Sequence, residues 1–287
     1  MISTLREGDE VDAVFACVRK ERLITRSGSP YLALELRDRT GAIKAKAFRD
    51  ADLLAGRFER GDVLQITGTV QRFRDELVID VADVAAPGAG TEGPEADLFL
   101  PRTYRDMEEL EGFLEHLARD VYDTGYRALL DTVLADASLR TALRRAPATR
   151  GGHHSYLGGL LEHTVAVTTL ARELCELHPR LNSDLLLCSA ILHDIGRTRE
   201  FTYGAEVGLT EEGRLLGHLA IGQQMLVKQA EGVVDQDRLL ALLHCVACHH
   251  GAVAAPGGKF ASAEALALCR CNALDASVKG ALEHGLP

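Results

Sequence analysis

This chain of 287 residues lacks any run of about eighteen apolar residues, so it has no candidate transmembrane helix. Its first ten residues, Met1 to Glu10, have no apolar segment of the kind a secretory signal needs. These two absences lead us to expect a cytoplasmic protein with no membrane partner. No internal repeat is visible. Positive charge is not in excess either: the formal net charge is −10. Residues 1–90 are nearly balanced, with 14 Lys+Arg against 15 Asp+Glu, and the acidic excess falls on the rest. The bulk field therefore does not attract nucleic acid, and any such binding must come from local basic patches and bound metal.

A disulfide framework is not apparent. The seven cysteines are scattered in apolar helical contexts, which suits a reducing compartment. Cys245-Val-Ala-Cys248 and Cys269-Arg-Cys271 are the two close pairs. The second has a single residue between its thiols, where zinc sites keep about two to four, and the first sits inside a helical pattern. Buried thiols are the expected reading.

The length suits about two domains of roughly 150 residues each, and 46% hydrophobic content lets each bury a core. Residues 10–84 read as short strands. Leu32, Leu34 and Leu36 alternate with Ala33 and Glu35, the period of a half-buried strand. Asp38-Arg-Thr-Gly41 is a turn, and residues 42–48 alternate again. A short helical segment at 50–58 precedes strands at 63–71 and 77–81. About five strands within residues 10–84, with one short helix before the fourth, predict a Greek-key barrel of the OB type. On such a barrel Tyr31, Phe48 and Phe73 are candidates to stack on bases, with Lys44, Lys46, Arg72 and Arg74 facing phosphates. The competing reading has Phe48 and Phe73 closing the barrel and the cations on a solvated face. Gly and Pro crowd residues 86–97 and predict a linker. The expected domains are 1–86, a linker at 87–100, and an all-α domain at 101–287.

From Tyr104 the pattern is helical. Helices are expected at 106–122 and 127–145, and then five more segments bring polar residues onto apolar stripes. His163 shares a face with Leu160, Val167, Leu170 and Leu174. His193 closes a helix that begins at Ser183 and stops at Gly196. His218 lies with Leu215, Ile221 and Met225, and His250 with Leu239, Leu243 and Val246. Asn272 and Asp275 lie with Leu268 on a helix that Ser262 can cap. One such histidine is usually a hydrogen-bonded core residue. Five helices that each turn His, Asp or Asn inward would need many partners, and a shared divalent metal satisfies them together.

His193-Asp194, with His163 upstream and His218 and His249-His250 downstream, resembles the HD-domain phosphohydrolases. The strings His153-His-Ser-Tyr-Leu-Gly-Gly-Leu-Leu-Glu-His-Thr164, Ala190-Ile-Leu-His-Asp-Ile-Gly196 and His249-His-Gly251 are more narrowly similar to the YhaM-type 3′→5′ exoribonucleases. That family joins an N-terminal OB domain to an HD domain, so the resemblance covers nearly the whole chain. It implies metal-dependent hydrolysis of single-stranded RNA from the 3′ end, with DNA as a further substrate and one or two ions, commonly Mn2+. It also implies His163, His193, Asp194, His218, His249 and His250 as ligands, with Asp194 as the natural bridge between two cations about 3.5–4 Å apart. Arg197 stands where the family has Lys, and a guanidinium also grips phosphate.

Two further departures matter. Cys269 stands where the family has His, and Asn272 where it has Asp. Asn272 can still lend a carbonyl oxygen, but it adds no charge against two divalent cations. Two alternatives stay open. One is an HD-domain enzyme acting on small nucleotides; the other is a single-strand-binding protein whose catalysis has weakened. On charge alone, Asn272→Asp is expected to raise metal content per chain, as read by elemental analysis after loading with limiting Mn2+.

Overall fold

The structure, a computed structural model, describes residues 1–85 and 99–285. Two compact units result, Met1–Pro101 with Thr202–Gly208, and Arg102–Phe201 with Leu209–Pro287. Most of the expected linker lies outside the described residues. Its last two residues, Phe99 and Leu100, are buried.

The first unit is a closed five-stranded barrel. Its strands are β1 (Glu10–Ile24), β2 (Pro30–Asp38), β3 (Gly41–Ala47), β4 (Val63–Phe73) and β5 (Glu76–Ala85), in the order β1-β2-β3-β5-β4. β1 pairs with β4 to close the ring, and only β3 and β5 run parallel. Short helix α1 (Ala51–Ala55) precedes β4, as expected of an OB barrel. Leu32, Leu34 and Leu36 point inward against Phe15, Ile43, Ile66 and Ile79. Two bulges let long strands bend around so small a core. In β1 the register skips Val18, since Cys17 faces Leu36 and Arg19 faces Glu35. In β5 it skips Ala82, and the inward set changes from Ile79 and Val81 to Val84.

The second unit is helical. It contains α2 (Met107–Arg119), α3 (Thr124–Ala135), α4 (Ala137–Arg145), α5 (Gly159–Leu177), α6 (Ser183–Leu192), α7 (Arg197–Glu200), α8 (Glu211–Ala230), α9 (Gln236–Cys248) and α10 (Ala263–His284). The single helix expected at 127–145 is in fact two. Asp136 ends the first and caps the second, its carboxylate accepting from the Ser138 and Leu139 amides. After α7 the chain forms a two-stranded hairpin, β6 (Phe201–Tyr203) and β7 (Val207–Leu209), whose residues Thr202–Gly208 count with the first unit. Helix α6 is buried at every position from Leu185 to Leu192. It packs against α5, α9 and α10, which makes it the axis of the unit. Among the described residues no helix is long and apolar enough to cross a membrane.

Arg74 and Asp75 join β4 to β5 as a two-residue turn, both in the left-handed region at φ 50° and 66°. A side chain pays for that conformation about 1–2 kcal/mol that glycine does not. Asp75→Gly is therefore expected to stabilise the barrel by roughly 0.5–1 kcal/mol after glycine's larger entropy loss is counted. Urea denaturation measures it, and an unchanged or lower midpoint would contradict the turn assignment.

Candidate metal centre

The polar residues expected on five helices do meet, and the ends of two helices aim two of the histidines. His193 is the first residue past α6, and its Nδ1 donates to the Ala190 carbonyl at 2.8 Å. His249 is the first residue past α9, and its Nδ1 donates to Val246 O at 2.6 Å. Each uses a carbonyl of the last turn, which no helical amide can satisfy. A carbonyl only accepts, so the proton is on Nδ1 and both Nε2 atoms carry lone pairs. The turn expected to bury His250 instead buries His249, which is fully enclosed, while His250 is exposed. The helix stops at Cys248, so the chain no longer follows the 3.6-residue period there.

His163, in the second turn of α5, gives its Nδ1 to Asp275 Oδ2 at 2.6 Å. Its Nε2 faces Asn272 Oδ1 at 3.0 Å and His193 Nε2 at 3.3 Å. The Asn272 amide is oriented by its Nδ2, which donates to the His249 carbonyl at 3.1 Å. Asn272 Oδ1 and the Nε2 atoms of His163 and His193 thus converge on one point.

His218 reaches the site because α8 breaks just before it. Gly217 takes φ 69° inside the helix, and the freed amide of His218 donates to Glu200 Oε1 at 3.2 Å. The turn after α6 can approach α8 only through Gly196. A Cβ there would lie 2.0 Å from the His218 carbonyl oxygen and 2.6 Å from the Gly222 nitrogen.

Asp194 lies between these groups, 3% exposed. Its Oδ2 is 3.7 Å from His193 Nε2 and 4.0 Å from His163 Nε2. Its Oδ1 is 3.3 Å from both His218 Nε2 and His249 Nε2. His250 Nε2 completes that side, 3.0 Å from His218 Nε2. The result is two sets of donors that share one carboxylate: His163, His193 and Asp194 on one side, and Asp194, His218, His249 and His250 on the other. Asp194 Oδ1 and His249 Nε2 are buried with no hydrogen-bond partner. Leaving such atoms unpaired costs about 1–3 kcal/mol each, and a divalent cation would satisfy both. The donor set fits a metal on that ground. A third group, His154, His163 and Asp275, is different, because its close nitrogen–oxygen pairs are already hydrogen bonds.

Arg197 is placed differently from a phosphate clamp. It is 8% exposed, and its Nε donates to Asp194 Oδ2 at 2.8 Å and its Nη1 to Glu200 Oε2 at 3.1 Å. Its guanidinium holds two carboxylates, so it orients the bridge rather than facing solvent. Burial would raise the Asp194 carboxyl, but the Arg197 guanidinium holds it well below the ordinary range. Asp275, expected on the inner face of its helix beside Asn272, reaches the back of His163, and Glu200, His153 and His154, for which no role is expected from the sequence, also line the site. The His153-His154 string is the sequence signal for the two histidines, and Glu200 lacks any local signature. Cys269 is buried and joins none of the donor groups found among the described residues, nor does any other cysteine.

On the barrel, Phe48 and Phe73 are 52% and 50% exposed, so neither closes the core. Tyr31 and Phe48 stack at 5.3 Å between centroids. Lys46 Nζ lies 3.7 Å from the centre of the Phe73 ring, and Arg74 is 5.4 Å from it. Lys44 pairs with Glu76 at 2.5 Å and Arg72 with Glu7 at 3.0 Å. Exposed pairs of this kind contribute about 0–1 kcal/mol and exchange readily for phosphate.

Burial and the His163 ring push the His153 imidazole down to about 4. His193 is lowered as well, chiefly by burial. Below the ordinary imidazole value of 6.5 the unfolded chain binds protons that these folded rings refuse. Stability therefore rises with pH through that window and falls as pH drops from 6.5 toward 4. The metal-free protein should show a melting temperature that declines steadily over this range. A flat profile would mean the native rings accept protons freely.

Comparison with known proteins adds the family. A sequence model of the HD domain matches residues 160–277, and one of an OB-fold nucleic acid binding domain matches residues 14–85. The chain is 29% identical over 251 residues to a 3′-5′ exoribonuclease YhaM of Shouchella clausii, covering 86% of this chain and 76% of that one. It is 26% identical to the YhaM exoribonuclease of Bacillus subtilis, covering 85% and 77%. Among solved structures, the second OB-fold domain of replication protein A from Methanococcus maripaludis aligns with a TM-score of 0.26 at 21% identity, over 32% of this chain and 97% of that one. The chain thus carries an OB-fold domain followed by an HD domain, and over about 85% of its length it is similar to the YhaM exoribonucleases.

Proposed function

We propose that this protein is a metal-dependent 3′→5′ exonuclease that hydrolyses phosphodiester bonds of single-stranded RNA, with DNA as a secondary substrate. One observation carries the reading: two sets of lone pairs share Asp194, and two of their buried atoms lack any other partner. We assign His163, His193, Asp194, His218, His249 and His250 as ligands, Asn272 as a carbonyl donor, and Mn2+ as the native ion. Bound divalent cations would supply an activated water and polarise the phosphoryl oxygens.

The chain's own residues do the rest. Arg197 fixes the Asp194 carboxylate from one side, and Glu200 fixes Arg197 and the His218 amide. His193 and His249 are buried on the inner side, which keeps bulk water away. His250 is exposed and His218 partly so; their edge is where a scissile phosphate enters. In this reading residues 1–86 hold the strand and residues 101–287 cut it. The stack of half-buried Tyr31 on exposed Phe48, and exposed Phe73 with Lys46 and Arg74 beside it, support a polymer over a mononucleotide substrate.

Time courses on 5′-labelled and 3′-labelled single-stranded RNA with Mn2+ test the proposal. The 3′ label should leave at once as mononucleotide while the 5′-labelled strand shortens gradually. His193→Ala and Asp194→Ala should reduce cleavage to background in a folded protein. Phe73→Ala should weaken single-strand binding by about 1–3 kcal/mol, the range of one stacked base. Hydrolysis confined to mononucleotides would favour a nucleotide phosphohydrolase, and tight binding without cleavage at any divalent metal a binding protein.

A further inference from the structure

Asn272 faces the first donor set with an oxygen but no charge, so Asp194 is the one carboxylate among the lone pairs of both sets. On the side of the first donor set a further carboxylate, Asp275, stands three residues along α10. It stands behind His163 rather than beside the donors, and accepts from His163 Nδ1 at 2.6 Å. Its Oδ2 also meets His154 Nε2 at 3.0 Å. His154 is 2% exposed and held in the left-handed region at φ 49°. That conformation needs outside support in a residue with a side chain. The support is visible. The His154 amide donates to Glu283 Oε2 at 3.1 Å, and its Nδ1 lies 3.0 Å from the Tyr156 hydroxyl. Tyr156 donates to Glu162 Oε2 at 3.0 Å, and Glu162 is fixed by Thr103 at 2.7 Å and Lys279 at 3.0 Å. A buried polar chain thus runs from a ligand imidazole to an anchored carboxylate.

We propose that Asp275 is a positioning residue of the metal centre: through His163 it supplies the negative charge that Asn272 withholds, and His154 and Tyr156 hold it in place. A carboxylate on the far nitrogen of a ligand imidazole fixes the ring and raises its basicity. The same three residues do not form a third cation site, because the Asp275–His163 pair is already closed by a proton. The assignment rests on the metal reading of the centre and is independent of the substrate.

The test is titration of the chelator-stripped full chain with Mn2+, for wild type, Asp275→Asn, Asn272→Asp and the double variant. Asp275→Asn should weaken one Mn2+ equivalent about 10–100-fold, the range for such outer partners, and leave the other. Asn272→Asp should restore that equivalent in the Asp275→Asn background and gain less in wild type. Tyr156→Phe keeps Asp275 and should show a smaller loss; circular dichroism scores folding. Wild-type affinity in a folded Asp275→Asn, or an equal gain from Asn272→Asp in both backgrounds, overturns the assignment. Should Asp275→Asn not fold, an unchanged affinity in Tyr156→Phe overturns it instead. RNA cleavage is scored in parallel. A wild type that binds Mn2+ but cuts no RNA counts against the nuclease reading alone.

Discussion

The helical unit turns on one buried carboxylate. Enclosing an ionised aspartate costs several kcal/mol unless partners compensate. Asp194 has one such partner in Arg197, but Arg197 is shared with Glu200, so the three side chains together keep a net negative charge. Oδ2 is satisfied by the guanidinium, whereas Oδ1 is left facing two imidazoles. The fold therefore stabilises half of this carboxylate and leaves the other half for something positive. That asymmetry is hard to explain as core packing, because an apolar residue of similar size would cost less.

Backbone geometry, more than side-chain choice, sets the site. His193 and His249 follow helices α6 and α9, and each is oriented by a carbonyl three residues back. Using the helix's own unsatisfied carbonyls fixes the tautomer without a dedicated acid for each ring. Gly196 lets the His-Asp turn lie against α8, and Gly217 turns an amide toward Glu200 at the point where His218 starts the next helical segment. The central position of α6 follows from its being apolar all round, and it carries Asp194 into the middle of the unit.

Much of this was legible in the sequence, for identifiable reasons. The alternation of Leu32, Leu34 and Leu36, and the short helix before β4, led to the barrel because period and order survive folding. His163 was legible as inward because it lies within an unbroken helix. His249 and His250 were not told apart, since the helix ends between Cys248 and the pair, and periodicity is lost there. Asp136 was missed as a break because a capping aspartate inside a continuous apolar stripe leaves no gap in the pattern. Arg197 read as a phosphate ligand because its partner Glu200 is recognisable only once α7 is formed. The link from Asp275 to His163 joins residues 112 apart in sequence, and no local spacing encodes it.

The donors around Asp194 recognise only a cation and, through it, a phosphate. None of them offers a surface on which a base could stack or a groove that follows a strand. If the natural substrate is a polymer, the discrimination must come from elsewhere in the chain. The barrel has what that requires: exposed rings at Phe48 and Phe73, and cations whose present partners are weak surface acids. Its near-neutral charge also fits, because a protein of net charge −10 gains little from long-range attraction and must hold a strand by contact. Stacking is insensitive to base identity, so under the proposed division the barrel would accept any unpaired strand and leave the choice of phosphate to the metal centre.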